Sequence, residues 1–356
     1  MRGKGTFMVC KGGSWAYIGS FTSGGGQGIT VASVDPGSGA LAPVSAVGGL
    51  VNPSWLALDR AAGVLYAVGE AEFGEVAAFR ARGPELTPLG RPVAVGGSGP
   101  THLSVAGRRL LTANYGSGSV SSLPLGDDGG IAGPPAVLPH EGRGPDPERQ
   151  GAPHAHQVLP DPSGRWVLTT DLGTDSVRVC ALDARSGAVR VHGEAGLRAG
   201  SGPRHLAFHP DGTVVYVLHE LEPLVTVCRW DAGRGRLEPL SEVAVADGEA
   251  PEGARPCPSV PAVSPDGRFL WVAVRGADAL VTLSLADGPE KPRVAGSTGC
   301  GGVWPRDLVV DRAGRGLYVA NEWSGDVTWF DADPLDGAPR RRGAVEVPAA
   351  ACVVLA

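Results

Sequence analysis

Histidine, arginine and carboxylate residues in this chain gather in short stretches that flank apolar runs. The richest is HEGRGPDPERQGAPHAH, which supplies His140, Glu141, Arg143, Arg149, Gln150, His154 and His156. Others are Arg204 and His205 in GPRHLAF, Glu220 in HEL, Arg275 after FLWVAV, and Arg306 in PRDL. These residue types suit a site for a small anion. The guanidinium fork matches a carboxylate or phosphate, and His or Glu can move a proton. His154 and His156, at i and i+2 on a strand, would face one side, so the H-x-H pair could ligate a metal. A metal needs a third ligand. His140 or Glu141 could offer one, yet no spacing fixes it, so we expect no metal and read the pair as a base and its orienter, or as one catalytic and one structural residue. No G-x-S-x-G motif is present, which disfavours an acyl-enzyme route.

Those residues are scattered over most of the chain, and a repeat shows how they meet. A Pro-led strand, a Gly-containing turn and an aromatic-rich strand recur from Pro53, Pro100, Pro153, Pro203, Pro258 and Pro305. The period, about fifty residues with several short strands and no helical pattern, is that of a β-propeller blade. Ala16 to Asp35 reads as two strands, and the closing ACVVLA is a short strand without a local partner. Together they make a seventh, composite blade that fastens the ring. We therefore expect an all-β, seven-bladed propeller of four-stranded antiparallel blades. It forms one domain over residues 1–356, with a disordered N-terminus of about residues 1–14. The PDPSG, HPDG and SPDG turns link first and second strands, and their Asp residues are structural.

In such a blade, the start of the first strand and the end of the second lie on the same face of the ring. One rim then collects Asn52, His102, His154, His156, Arg204, His205 and Arg306 from strand starts. From strand ends it collects Glu70, Asn114, Asp171, Glu220, Arg275, Asn321 and Glu322. A ring of this kind concentrates anion-holding and proton-moving groups in one wet mouth.

Composition narrows the function further. A net charge of −6 without a basic run argues against nucleic-acid binding. Only three of the 31 basic residues are Lys, so positive charge arrives as Arg, the better planar anion clamp. The six cysteines show no CxxC; Cys180 and Cys228 sit at matching places in apolar strands and read as core. No apolar run is long enough to span a membrane, and the basic N-terminus lacks a signal-peptide core. We expect a cytoplasmic monomer with no membrane partner.

Residues spread over nearly the whole chain resemble the seven-bladed propeller lactonase family, which includes bacterial 6-phosphogluconolactonases and fungal carboxy-cis,cis-muconate lactonising enzymes. The resemblance rests on YIGSFTSGGGQGI, ANYGSGSV, RQGAPHAH, GPRHLAFHPDG, HEL, SPDGRFLWVAVRGAD and PRDL-LYVANE. It implies a site made of His154 or His156, Arg204, Glu220 and Arg275. Around it, His205, Arg149, Gln150, Asn114, Arg306 and Glu70 are expected to contact substrate. The chain departs from the family where an Asn is usual, carrying Gly69, His219 and Val274. It departs again at Ser259–Ala262, where a family Glu is lost. These departures are expected to act on substrate choice at the rim. The reading is a lactone hydrolase that opens a small anionic sugar lactone by general-base attack of water, without cofactor. The alternatives are a lactonising enzyme on a carboxylated dienoate, or a non-catalytic propeller that binds a small molecule or protein through this rim.

Overall fold

The computed structural model describes residues 14–245 and 255–356. They form seven antiparallel sheets in a closed ring. The expected disordered N-terminus lies outside the described residues, except for Ser14, which opens a strand. Cys10 lies outside them too. Among the described residues the only helical segment is a 3-10 turn, Thr22–Gly24.

The innermost strands are Ala350–Leu355, Leu56–Asp59, Pro100–Ala106, Ala155–Pro160, Pro203–Phe208, Cys257–Val263 and Pro305–Val310; we number their blades 1 to 7 in that order. Blade 1 is the composite one. The C-terminal strand is its innermost, and the N-terminal part supplies three strands, not two: Ser14–Ser20, Ile29–Val34 and Leu41–Val47. The outer edge of blade 2 is broken into Glu85–Pro88 and Val93–Ala94, both paired with Glu75–Arg82.

Each blade is buried on both faces, which explains strands that are apolar throughout. In blade 5, Val214, Tyr216 and Leu218 pack against blade 6, while Val215 and Val217 pack against blade 4. Period-two alternation thus feeds two interfaces at once. Seven apolar clusters result, one at each blade junction. Each fully buried Val, Leu or Ile in them is worth about 1.5–3 kcal/mol.

The aromatic-rich second strand also has a specific use. Tyr17, Tyr66, Tyr216, Trp271 and Tyr318 occupy one register position in five blades. Each donates to a carbonyl in the next blade: Gly83, Gly129, Pro289, Gly337 and Gly39. The ring is thereby stitched at mid-radius. A second belt runs round the channel itself. Thr101 donates to His156 O, Leu206 N to Gln157, Arg204 to Ser259 O, Ser259 to Pro305 O, and Val353 N to Asp307. The turn Asp residues are structural, as expected: Asp161, Asp211 and Asp266 accept backbone N–H groups of their own hairpins.

Candidate active site

A bulge at the top of the innermost strand builds the site. In blade 5, Pro203 pairs with His219 and His205 with Leu218, so Arg204 is the extra residue. The same slip makes Thr101, His156, Arg306 and Ala351 the extra residues of blades 3, 4, 7 and 1. By position, Ser54 and Ser259 complete this ring of seven. Bulges re-aim side chains, and here they aim them into the channel mouth. That mouth is lined by Ser54, Thr101, His156, Arg204, Arg306 and Ala351, with Phe21, Trp55, Glu70 and His205.

A second ring stands just above, from the residue that follows each second strand. Backbone bonds fix it: Phe21 N to Ala349 O, Glu70 N to Asn52 O, Tyr115 N to Gly99 O, Leu172 N to His154 O, Glu220 N to Gly202 O and Glu322 N to Trp304 O. In blade 6 the equivalent residue is Arg275, paired with Cys257.

Charge concentrates over blades 4 to 6. Glu220 Oε2 accepts from Arg204 Nε at 3.0 Å and Arg275 Nη2 at 2.8 Å, and its Oε1 accepts from Arg149 Nη2 at 2.6 Å. Arg204 and Arg275 are almost wholly buried, whereas the Arg149 side chain is 39% exposed. Although burial opposes ionisation, the Arg275 and Arg204 charges hold the Glu220 carboxyl well below its ordinary range. Burial, then the Arg275 charge, pushes the Arg204 guanidinium down to about 9. One carboxylate among three guanidiniums leaves two positive charges uncompensated. Arg275 is also held by Cys257 O and Pro258 O, and lies 5.4 Å over the Trp304 ring.

His156 borders this cluster. Burial and the Arg204 charge lower its pKa well below 6.5, so its imidazole is neutral at pH 7. His205 lies beneath, its ring edge-on to His156 at 5.2 Å and to His102 at 5.4 Å. Both are neutral too, with His102 pushed down by burial to about 3. Trp55 completes this floor, 4.6 Å from His102.

Several expected contacts fall elsewhere. His154 precedes the strand, stacks on Tyr115 at 4.4 Å and places Nδ1 2.9 Å from Tyr115 O, outside the mouth lining. The bulge at His156 breaks the i, i+2 alternation that would have made the two histidines converge. His140 lies buried, with Nδ1 2.6 Å from Asp171, and Arg178 caps Glu141 O; both serve the blade 4 loop. Among the described residues, no cluster of three or more His, Cys, Asp or Glu has metal-holding geometry. Gln150 is buried and donates to Leu172 O and Asp175, so it holds the loop that presents Arg149. Asn114 points into blade 3, where it donates to Ser119 and Ser121. His219 meets Thr226, and Asn321 meets Asp326 and Thr328, from the same register position. The departures from Asn at Gly69, His219 and Val274 therefore sit inside blades, not at the rim, and touch strand packing.

Glu70 and Arg306 do reach the mouth. Glu70 accepts from Ser54 and is pushed up by burial; Arg306 pairs with Glu322 at 2.6 Å and lies 4.8 Å over Phe21. Sequence reasoning missed Tyr115 and Trp304. Tyr115 stands one residue after Asn114, as Glu220 follows His219, so counting the register one step further finds it. Trp304 precedes Pro305 as Gly202 precedes Pro203 and takes the same left-handed conformation, φ 65°. That is a strained state for a bulky residue. Asp278 holds its N–H at 2.8 Å, and Trp323 stacks on it at 3.8 Å.

Comparisons with known proteins agree with this fold. A family model described as "Lactonase, 7-bladed beta-propeller" matches residues 15–355. A Bacillus subtilis protein named 6-phosphogluconolactonase is 31% identical over 343 residues, 95% of this chain and 97% of its own. A Formosa agariphila protein of the same name is 28% identical over 90% of this chain and 93% of its own. The solved structure of a Pseudomonas aeruginosa periplasmic gluconolactonase superposes with a TM-score of 0.88 at 29% identity, covering 96% of this chain and 99% of that one.

Proposed function

The chain belongs to the lactonase family of seven-bladed β-propellers and is a lactone hydrolase, and we propose that it opens a phosphorylated sugar-acid lactone, 6-phosphogluconolactone. The observation that carries this reading is the ring of Arg149, Arg204 and Arg275 on Glu220, beside the neutral imidazole of His156. Two uncompensated positive charges attract a phosphate and stabilise the oxyanion that grows as water attacks the lactone carbonyl.

His156 is the base in this scheme. Both Glu220 oxygens are engaged by arginines, whose charges favour its ionised form and leave no free oxygen for water. His154 is committed to Tyr115. His156 is unprotonated, in the mouth, and next to the arginines that would hold the substrate. It takes the proton from water as the hydroxide oxygen bonds to the carbonyl carbon. The ring C–O bond then breaks, and the proton passes to the departing alkoxide. Positioning plus one proton acceptor suffices for an ester of this reactivity. The relatives' names favour hydrolysis over lactonisation and over a binding-only role.

We place the enzyme in the cytoplasm as a monomer, without nucleic-acid or membrane partner. Five free cysteines among the described residues, four of them buried, suit a reducing compartment. Seven junctions that close on one another leave no blade in need of a second chain. The test is hydrolysis of freshly generated 6-phosphogluconolactone, coupled to the dehydrogenase that oxidises the product, against the spontaneous rate. Acceleration is expected, with KM raised about tenfold in Arg149→Met by loss of one facing charge. No acceleration by folded protein would overturn the substrate assignment.

A further inference from the structure

The Arg–Glu pair of blade 5 has a counterpart at the same register in blade 7. Arg204 and Arg306 are both bulge residues, and Glu220 and Glu322 both follow the second strand. The two pairs share one geometry, Nε to Oε2 at 3.0 and 2.6 Å. Their surroundings differ. Glu220 faces three arginines, whereas Arg306 faces Glu322 alone, and Glu70 lines the same mouth beside it. The blade 7 pair is also more open, with side chains 26% and 18% exposed against 5% and 9%.

An anion is drawn to the blade 5 cluster and finds no net attraction at blade 7. A hydroxyl group both donates and accepts, so it matches an arginine donor set beside a carboxylate acceptor. The Phe21 ring under Arg306 keeps the guanidinium plane fixed. We propose that Arg306 and Glu322, with Glu70, form a hydroxyl-reading subsite for the polyol ring of the substrate, two blades round the mouth from the arginines that hold its anionic group. It selects hydroxylated lactones from plain ones, and rests on the lactonase reading above.

The experiment measures binding, so that it stands even if 6-phosphogluconolactone is not turned over. Calorimetric affinities of D-gluconate, hexanoate and inorganic phosphate are compared for the wild-type chain and for Arg306→Met/Glu322→Gln. Gluconate and hexanoate share six carbons and a carboxylate and differ in hydroxyls. The wild-type chain should prefer gluconate by about tenfold, and the double variant by less than about threefold, with phosphate affinity held within about twofold. Equal wild-type affinities, a preference that survives the double change, or a loss of phosphate binding would each overturn the subsite; the last would make Arg306 an anion ligand. Neither residue belongs to the channel belt, so folding should survive. Glu322→Gln alone, with a melting curve, provides a milder second variant, and its gluconate preference should also fall.

Discussion

Glu220→Gln tests the centre of the site most directly. The substitution keeps the shape and removes the one negative charge among three guanidiniums, which lie at 2.6, 2.8 and 3.0 Å. Arg204 and Arg275 are buried, and removing the partner of a buried ion costs about 3–5 kcal/mol. Arg149 is well exposed, so water screens it and it adds nothing to that sum. At ~2 °C per kcal/mol for a long chain, the melting temperature should fall by roughly 6–10 °C. Phosphate should then stand in for the missing carboxylate. At a hundredfold excess over its dissociation constant it returns about 2.7 kcal/mol, and it should raise the variant's melting point more than the wild type's. Hydrolysis should drop by about a hundredfold, through misplaced arginines, and the acidic limb of the pH profile should move to lower pH, because the Glu220 charge that raises the His156 pKa is gone. The assays are thermal unfolding with and without phosphate, and initial rates across pH. A variant as stable as its parent, or equal stabilisation of both by phosphate, would refute the charge arrangement.

His156→Asn should cut kcat by about 10²–10⁴ with the melting point nearly unchanged, while wild-type activity persists at pH 6 and is lost only well below it, as the imidazole gains a proton. His154→Ala should leave kcat within about threefold, since that ring serves Tyr115 outside the mouth; a collapse comparable to His156→Asn would reassign the base. Burial pushes the Asp307 carboxyl up to about 6 from 3.8, so between those values the native chain holds a proton that the unfolded chain has released. The stability Asp307 contributes should therefore fall as pH rises from about 4 to 6, by roughly 3 kcal/mol, and urea unfolding of Asp307→Asn should show that slope removed.

The repeat made the ring legible because each blade must bury both faces, and that demand writes β-branched and aromatic residues into every copy. Arg204, Glu220 and Arg275 could be brought together from sequence, since all three flank strands whose ends are marked by Pro, Gly or charge. The bulge could not. One extra residue reverses which neighbour faces the channel, and nothing in PHAH distinguishes His154 from His156. The same single-residue uncertainty put Asn114 at the rim, where Tyr115 belongs. Gln150 misled for another reason: a polar residue in a polar loop looks available until the loop's own backbone and Asp175 claim it. Arg204 also carries a bond of the channel belt, so its removal mixes structural with chemical loss, and Arg149 is the cleaner arginine to change.

The composite blade sets a timetable for synthesis. The strand Ser14–Ser20 leaves the ribosome before the other six blades, yet its inner neighbour, Ala350–Leu355, is made only after them. At ~5–20 residues per second, that edge waits on the order of 15–60 s for its partner. Throughout that interval an unpaired, largely apolar strand is open to the nascent chains of neighbouring ribosomes. Ala351 and the Asp307 bond to Val353 arrive with that strand, so the mouth closes only once all seven blades have been made. A message stalled or clipped before that strand should yield no partial enzyme, only a chain that degradation or a chaperone must collect.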